Sequence, residues 1–475
     1  MKKILSLVLS VAMILSVAVF VVSADDVVLV KTIDELVAAI ANNTGKTIRL
    51  ENDIKVNAGY SYSLDDTCGD INVYKGEELV FSYVDGEVDG DIPADFTVIS
   101  APWAENLNGN TLDGNGFTIS GLYLDSIVGL FNVIGENDTI KNIKFDDCVQ
   151  IFVNSDIGGG FLGEALYGVI EDLVVDAISV RYVPEDFTGK ATRNGGIIAG
   201  KWDATDVVGG TMKNTVRYGA IYVENYSAKK LIVGGLFSTI HRGGNTVLNC
   251  ANYADITVFG ENNGVGGAIG IIEGGAYHKT TKLHNIANYG AVKVSGGIAG
   301  GVVGKIDHWH ATQGDDHVYT NLYNEGAVDG GNSIIGTINN GNTAMDITNY
   351  EIHAVGNSKL ENELAAPEGS ISKVKTYSAT ALSTADAVAA LNAKNAGVDG
   401  AATWSVVGDS AVMDIFKVSG SSDTEPTTPT EPTTPTDPTD KDDTPQTGDY
   451  GFVVWVALFA IAGASLLFVR KKATR

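Results

Sequence analysis

A phrase of glycine pairs and asparagines returns along the middle of the chain, from Gly195 to about Ala354. Each copy opens with two glycines and a short apolar run, passes through a variable loop, and closes on an Asn-rich stretch. The openings are Gly195-Gly196, Gly234-Gly235, Gly266-Gly267 and Gly300-Gly301. A fixed period of this size indicates a solenoid in which each repeat forms one coil. The apolar runs are too short for helices and are bounded by glycine, so they predict strands.

The repeated glycines and asparagines have structural explanations. Glycine pairs permit a tight corner at positive φ and a close approach of neighbouring coils. Parallel strands lie about 4.8 Å apart, so equivalent residues of successive coils stack. One such row consists of Asn142, Asn214, Asn249, Asn285 and Asn321, with Asp172 at one step. We predict that these side chains hydrogen-bond from coil to coil and serve the structure rather than a ligand.

Short helices are predicted on either side of the repeats. Thr32 to Asn43 begins with a capping box, Thr32 and Glu35, and has helical apolar spacing. We expect this helix to cover the open end of the solenoid. Residues 384–394 predict a second helix and residues 404–407 a last strand, which together are expected to close the far end.

Charge and cysteine content limit the partners. The formal net charge of −26 arises from 58 Asp and Glu against 32 Lys and Arg. This surplus excludes nucleic acid, because phosphate binding requires clustered basic residues. Cys68, Cys148 and Cys250 are widely separated and odd in number, which predicts isolated buried thiols rather than a disulfide framework.

The two ends of the chain indicate export. Lys2 and Lys3, the apolar run to residue 22 and the small residues up to Ala24 are typical of a cleavable secretory signal. Residues 424–439 alternate Thr, Pro and acid, which predicts a disordered, extended stalk. The apolar run from residue 452 to 469 is long enough to cross a bilayer as a helix, and basic residues follow it.

A motif before that apolar run resembles the cell-wall sorting signal of Gram-positive surface proteins, the LPxTG class. It consists of Thr444, Pro445, Gln446, Thr447 and Gly448. The resemblance implies that a sortase cuts after Thr447 and joins it covalently to peptidoglycan, after a transient stage as a membrane anchor. Thr444 replaces the usual Leu, which leaves the sortase class open. A plain membrane anchor is the alternative, and both place the repeats outside the cell.

The glycine-paired openings and asparagine closings resemble the GLUG-type repeats of bacterial surface proteins and adhesin-like right-handed parallel β-helices. The resemblance covers about residues 110–354 and implies an all-β solenoid with a surface or adhesin-like role, without a defined ligand. We divide the chain into residues 1–24 (signal peptide), 25–56 (N-terminal cap helix and first strands), 57–105 (insertion), 106–356 (β-helix repeats), 357–419 (C-terminal capping region), 420–443 (stalk) and 444–475 (sorting signal with transmembrane helix).

The variable loops leave the solenoid at one corner in this register. Stacking is expected to collect aromatic and polar side chains there: Trp202, His241, Tyr277, His278 and Trp309. Aromatic rings beside polar groups suit the recognition of sugars or peptides. The alternative is that surface loops accumulate such residues without binding anything.

One loop also has the composition of a metal site. Three of the seven histidines fall within ten residues, and two acids lie among them. The set is His308, His310, Asp315, Asp316 and His317. Imidazoles with carboxylates could hold Zn²⁺, and the acids alone Ca²⁺. The spacing matches no known metal motif, and a solvated loop without a cofactor is the other interpretation.

These features predict a wall-anchored, adhesin-like protein, not an enzyme, that binds an extracellular glycan or protein ligand along its loop edge. A β-helix polysaccharide lyase or glycoside hydrolase is one alternative. Such an enzyme needs paired carboxylates, or carboxylates with a metal, in a groove. Asp146-Asp147 and Asp315-Asp316 are adjacent aspartate pairs in the repeats. A structural spacer or coat protein is the other alternative.

Overall fold

The computed structural model describes residues 26–152, 158–189, 192–200, 209–241, 244–274, 281–308, 317–339, 350–357, 368–369 and 376–416. Across these residues, strands of successive coils pair in parallel, and the sheets they form run along the stack. The chain is therefore a parallel β-helix, as its repeats predict.

The first two strands of each coil belong to one long parallel sheet. In the later coils the register is constant: Val247 pairs with Leu283, and Leu283 with Tyr319. The strands are Val27–Val30, Thr47–Leu50, Ile54–Lys55, Thr111–Asp113, Thr118–Ser120, Tyr123–Ile127, Thr139–Phe152, Val169–Val183, Thr211–Asn225, Thr246–Asn252, Asp255–Phe259, Lys282–Asn288, Val292–Val294, His317–Asn324, Val328–Asp329, Tyr350–Asn357 and Thr376–Leu382.

Shorter parallel sheets complete the coils. The inner sheet consists of Arg193–Gly195, Leu231–Gly234, Asn262–Gly266 and Ala299–Gly300. The loop sheet consists of Phe237–His241, Ile269–Gly274, Val303–His308, Ile335–Asn339 and Glu368–Gly369. In the earlier coils, Val133–Ile134 pairs with Ala165–Leu166. The glycine pairs at 234–235, 266–267 and 300–301 each join an inner-sheet strand to the loop-sheet strand that follows, and the variable loop begins where that second strand ends.

Two apolar cores hold the sheets together. The main core contains side chains of both the long sheet and the loop sheet, such as Ile286 and Ile272. The second core joins the other half of the long sheet to the inner sheet through side chains such as Ile256 and Val265. Each fully buried aliphatic side chain contributes about 1.5–3 kcal/mol to the stability of the fold. The side chains of the two cores, stacked from coil to coil, are therefore the main source of cohesion between coils.

The glycine pairs are required by close approach rather than by backbone conformation. Gly234 and Gly235 are not among the glycines with positive φ. A methyl group on Gly235 would instead overlap the carbonyl oxygen of Gly267 and the side-chain oxygen of Asn252. The prediction of positive φ at this corner is therefore wrong, and the predicted close approach of neighbouring coils is confirmed.

Helix α1 spans Ile33–Asn42 and links the first two parallel strands of the long sheet. Its N-cap is Thr32, whose Oγ1 accepts a hydrogen bond from the backbone N–H of Glu35 at 3.2 Å. Leu36 and Ile40 are fully buried in the main core. The first coil is thus a strand, a helix and a strand.

The insertion forms an antiparallel meander on the outer face of the long sheet. Its strands are Tyr60–Leu64, Ile71–Lys75, Glu78–Val84 and Glu87–Asp89. The ring centroids of Phe81 and Phe96 lie 5.9 Å and 5.4 Å from that of Tyr123, a residue of the long sheet. The meander therefore covers part of the earlier coils.

Residues 384–416 cover the later coils from the side, and we call them the side cover. They comprise helix α2 (Thr384–Lys394), a hairpin of Trp404–Val407 with Ser410–Met413, and a 3-10 turn at Asp414–Phe416.

Apolar packing fixes the position of the side cover. Leu391 and Trp404 share an apolar cluster with Val216, Ala287 and Val355, which belong to alternate strands along the long sheet. We expected this helix and strand to close the far end of the solenoid. They lie along its side instead, because the apolar outer face of several coils offers them more surface to bury.

Candidate functional site

Most of the predicted ligand and metal residues lie outside the described residues. These are Trp202, Tyr277, His278, Trp309, His310, Asp315 and Asp316. The backbone of His241, His308 and His317 is described and belongs to the strands that flank the loops. The sorting motif, Thr444 to Gly448, also lies outside. In the described part of the chain, no helix is long and apolar enough to cross a membrane.

The strands that flank the variable loops end one above another. In the loop sheet, His241 is in register with Glu273, and Glu273 with Asp307. The returning strands of the long sheet are also in register, as Thr246 is with Lys282. The loops between these strands therefore begin and end along one edge of the stack, which we call the loop edge.

Charged side chains are buried at the root of the loop edge. Nε of Arg193 donates to Oγ1 of Thr239 at 3.2 Å, and its guanidinium lies 3.7 Å from the carboxylate of Glu273. The ammonium of Lys305 lies 2.6 Å from the carboxylate of Asp307. Only 6% of the Glu273 side chain and 9% of the Lys305 side chain are exposed. Lys305 and Asp307 pair within one strand. Because a buried charge that loses its partner is strongly destabilising, the contacts of Arg193 tie two loop-sheet strands to the inner sheet.

A ladder of side-chain amides runs along the outer face of the long sheet. Asn214 donates to Asp172 at 2.9 Å, Asn249 to Asn214 at 2.9 Å, Asn285 to Asn249 at 3.0 Å, and Asn321 to Asn285 at 2.8 Å. All five residues have left-handed backbone φ between 51° and 57°. Asn and Asp tolerate this conformation better than other side chains do. The predicted coil-to-coil hydrogen bonding is confirmed for the steps from Asp172 to Asn321.

The side cover divides the ladder into two sections. The covered section, Asn249, Asn285 and Asn321, is at most 1% exposed. The open section precedes it and consists of Asn142, Asp172 and Asn214. Asn142 and Asp172 are exposed, and they line a shallow depression on the outer face of the long sheet.

Carboxylates gather beside the open section. Asp146 pairs with Lys144 at 3.0 Å. Burial, and then the charges of Asp146 and Asp176, raise the pKa of Asp147. Burial, and then the charge of Asp146, raise the pKa of Asp176 as well. These carboxylates therefore lie close enough to repel one another on an accessible face.

An exposed aromatic patch lies at the other margin of the long sheet, beside the meander. Tyr226 is 57% exposed and Phe259 is 41% exposed. The ring of Tyr226 lies 5.5 Å from that of Tyr182, and the ring of Phe259 lies 5.6 Å from that of Tyr222. The hydroxyls of Tyr222 and Tyr226 donate to the carboxylate of Glu224 at 3.3 Å and 3.2 Å. We call these four aromatic residues, together with Glu224, the aromatic patch. The sequence analysis did not identify them, because in the sequence they resemble ordinary strand residues.

The three cysteines are free thiols. Cys148 and Cys250 are buried, as expected, and burial raises the pKa of the Cys250 thiol to about 12. Cys68 is exposed, so its predicted burial is wrong. It lies in a turn of the meander, where its thiol donates to the carboxylate of Asp70 at 3.0 Å and that hydrogen bond raises its pKa.

No group of three or more His, Cys, Asp or Glu side chains is placed to hold a metal ion among the residues that the structure describes. The side chains of the predicted metal loop, from His308 to His317, lie outside that part of the chain. Binding of Zn²⁺ or Ca²⁺ there stays a prediction.

Comparisons with known proteins place the chain in no family. No protein-family profile matches it, and no curated protein is similar to it in sequence. A solved structure titled IgA1 Protease is similar in shape, with 15% sequence identity and a TM-score of 0.44. The similarity covers 75% of this chain and 25% of that one, so the chain spans about a quarter of the length of that structure. A likeness of this size carries no argument about what the chain does.

Proposed function

We propose that this chain is a surface protein of a Gram-positive bacterium, exported by its signal sequence and joined to peptidoglycan by a sortase. The support is the order of the motif Thr444 to Gly448, the apolar span and the basic tail. Thr447 would carry the covalent link, with the apolar span as a transient membrane anchor. The repeats would then stand outside the cell at the end of the stalk as a right-handed coil, the hand that crossovers between parallel strands nearly always have.

Fractionation of cells tests this location. Wild-type protein should be released with the wall fraction by a muralytic enzyme, and Thr447→Ala should shift it to the membrane fraction. Thr444→Leu, which restores the usual first residue of the motif, is the matched control and should stay wall-linked. Unchanged wall linkage of Thr447→Ala would rule out sorting at this site.

The function that the geometry supports best is binding of an extracellular glycan or protein along the loop edge. One observation carries this proposal: the strands that flank the variable loops are in register, so the loops are presented side by side. Loops held on a rigid scaffold are where proteins commonly place recognition residues. Trp202, Tyr277, His278 and Trp309 are the side chains that would contact the ligand.

A glycan and matrix-protein array, run with a reducing-sugar release assay, tests binding against catalysis. Binding on the array without release of sugar supports the adhesin-like function. Release of sugar supports a glycan-cleaving enzyme instead. The absence of both binding and release of sugar supports a structural spacer.

A glycan-cleaving enzyme is the second candidate, and the open face of the long sheet is the observation in its favour. Asp147 and Asp176 have raised pKa values beside Asp146, and a general acid in glycoside cleavage requires such a carboxyl group. If the chain releases sugar, Asp147→Asn and Asp176→Asn should reduce the rate. Release that both variants leave unchanged would place catalysis elsewhere.

A further inference from the structure

The covered section of the ladder binds a stretch of backbone from this same chain, which leaves a turn at Gly400 and leads into the hairpin at Trp404. Nδ2 of Asn249 donates to the carbonyl of Gly400 at 2.8 Å, and its Oδ1 accepts from the backbone N–H of Ala402 at 2.9 Å. Nδ2 of Asn285 donates to the carbonyl of Ala402 at 3.1 Å, and its Oδ1 accepts from Nε1 of Trp404 at 2.9 Å. Asn249 and Asn285 therefore each bind both a neighbouring rung and residues 400–404, whereas Asn321 donates to the carbonyl of Leu391 in α2 at 2.8 Å.

The open section presents the same rungs without such a peptide. Asn142 and Asn214 have φ of 52° and 51°, close to the 53° to 57° of the covered rungs. Asn142 donates to Asp113 at 3.3 Å and Asn214 donates to Asp172 at 2.9 Å. Among the residues that the structure describes, neither side-chain amide donates to a backbone carbonyl. One N–H of each is thus left for an added peptide.

The charge of this face distinguishes it from the covered section. Asp147, Asp172 and Asp176 form no ion pair with any side chain in the described ranges, whereas Lys144 and Lys213 are paired to Asp146 and Glu171. The covered rungs are all neutral asparagines. Repulsion among the open carboxylates would be relieved by cationic side chains placed over them.

We propose that the open section of the ladder, with Asp147 and Asp176 beside it, binds a basic peptide segment of a protein partner, in the way that Asn249 and Asn285 bind residues 400–404. The rung amides bind the peptide backbone, and the carboxylates bind its Lys or Arg side chains. This site is separate from the loop edge, so its test is independent of ligand binding there; it shares Asp147 and Asp176 with the second candidate function, from which peptide binding without release of sugar distinguishes it.

The natural probe is the segment that the covered section already binds. A fluorescein-labelled peptide with the sequence of residues 398–404 followed by two lysines is titrated with the full chain and read by fluorescence anisotropy at low ionic strength. The same peptide ending in two glutamates is the matched control. The lysine peptide should bind at least about tenfold more tightly, and its binding should weaken with added salt.

Substitutions on the protein locate the binding. Asn214→Gly removes the side-chain amide but can still adopt the left-handed backbone conformation. It should lower the affinity for the lysine peptide several-fold. The double variant Asp147→Asn, Asp176→Asn should weaken it about tenfold, since two charge-assisted contacts are lost. Tyr226→Ala, on the aromatic patch, should leave binding unchanged.

Two results would overturn the proposal. The first is a lysine peptide that binds no better than the glutamate peptide. The second is binding that the Asp147→Asn, Asp176→Asn variant does not weaken. That variant changes two side chains on the outer face, so it keeps the test decisive even if Asn214→Gly does not fold.

Discussion

A single residue, Asp172, interrupts the row of asparagines that forms the ladder. It stacks on Asn142, because the residues on either side of the two are paired across the strands. An ionised carboxylate accepts hydrogen bonds but donates none. Asp172 therefore accepts from Asn214 and has no hydrogen to give to Asn142. The sequence predicts the row, but not this missing bond, since the donor count matters only once the stacking is known.

Asp172→Asn should stabilise the protein. The new amide can donate to Asn142 and still accept from Asn214, which adds about 0.5–1.5 kcal/mol to the free energy of unfolding. Urea denaturation followed by circular dichroism measures the change. Asn285→Asp is the converse control: it buries a charge, removes the donation to Asn249 and should destabilise strongly. A lower stability of Asp172→Asn than of wild type would refute the ladder as a stabilising element.

The raised pKa values of Asp147 and Asp176 predict that the stability of the protein depends on pH. A carboxyl group with a raised pKa in the folded state is protonated there before it is protonated in the unfolded state. The folded state then binds more protons, so stability should rise as the pH falls from neutral through the folded pKa values and level off below the ordinary aspartate value. Because Asp147 is exposed and partly screened by solvent, Asp176 should contribute the larger share.

Thermal unfolding of wild type and of Asp176→Asn between pH 4 and pH 7 checks this dependence. The variant should be the more stable protein at pH 7, and the difference should shrink as the pH is lowered. Asp34→Asn, an exposed change in α1, is the comparison for general charge effects. A gap that widens toward low pH would contradict the assignment.

The loop-sheet strand shows, at the scale of an element, where a sequence pattern misleads. Ile306 lies between Lys305 and Asp307, and Ile272 is followed by Glu273, which suggests a strand with one solvated face. The structure buries Glu273 and Lys305 on that second face, to 5% and 7% exposure. A strand buried on both faces cannot be recognised from alternation alone, because the charged partner of Glu273, Arg193, is far away in sequence.

The corner between the inner sheet and the loop sheet should not tolerate a side chain at Gly235. A methyl group there would overlap the carbonyl oxygen of Gly267, which is backbone and has no room to move. Gly235→Ala should cost about 1–3 kcal/mol or more of stability. Gly296→Ala is the matched control, because its nearest neighbour would lie 3.4 Å away. Equal melting temperatures for the two variants would contradict close packing at this corner.

The molecule as a whole is a repeat stack with two additions that cover its outer face. The repeats could be predicted because each coil repeats the same local pattern. The positions of the meander and the side cover could not be predicted from the repeats. They depend on contacts such as those of Trp404 with Asn285 and of Phe96 with Tyr123, which occur once and are not part of the repeated pattern. The loop edge follows from the repeat register, whereas the open ladder emerges only once the side cover is located.

Trp404 should hold the side cover onto the stack. It is 2% exposed, packs at 5.4 Å from Tyr323 and donates to Asn285. Trp404→Ala should cost about 3–5 kcal/mol and open the covered rungs, which limited proteolysis between α2 and the hairpin would detect. Val406→Ala, in the same hairpin but at a side chain 50% exposed, should change neither stability nor proteolysis. Equal protease resistance of the two variants would show that the side cover is held by other contacts.

Ligand binding at the loop edge is tested most directly by comparing the affinity of loop variants for the best ligand from the array. Trp309→Ala and His278→Ala should each weaken binding about tenfold or more, since truncation of a hot-spot side chain at the centre of an interface costs about 2 kcal/mol or more. Tyr226→Ala, on the aromatic patch, should bind as wild type does. Loop variants that bind as tightly as wild type, with binding lost in Tyr226→Ala, would contradict recognition at the loop edge.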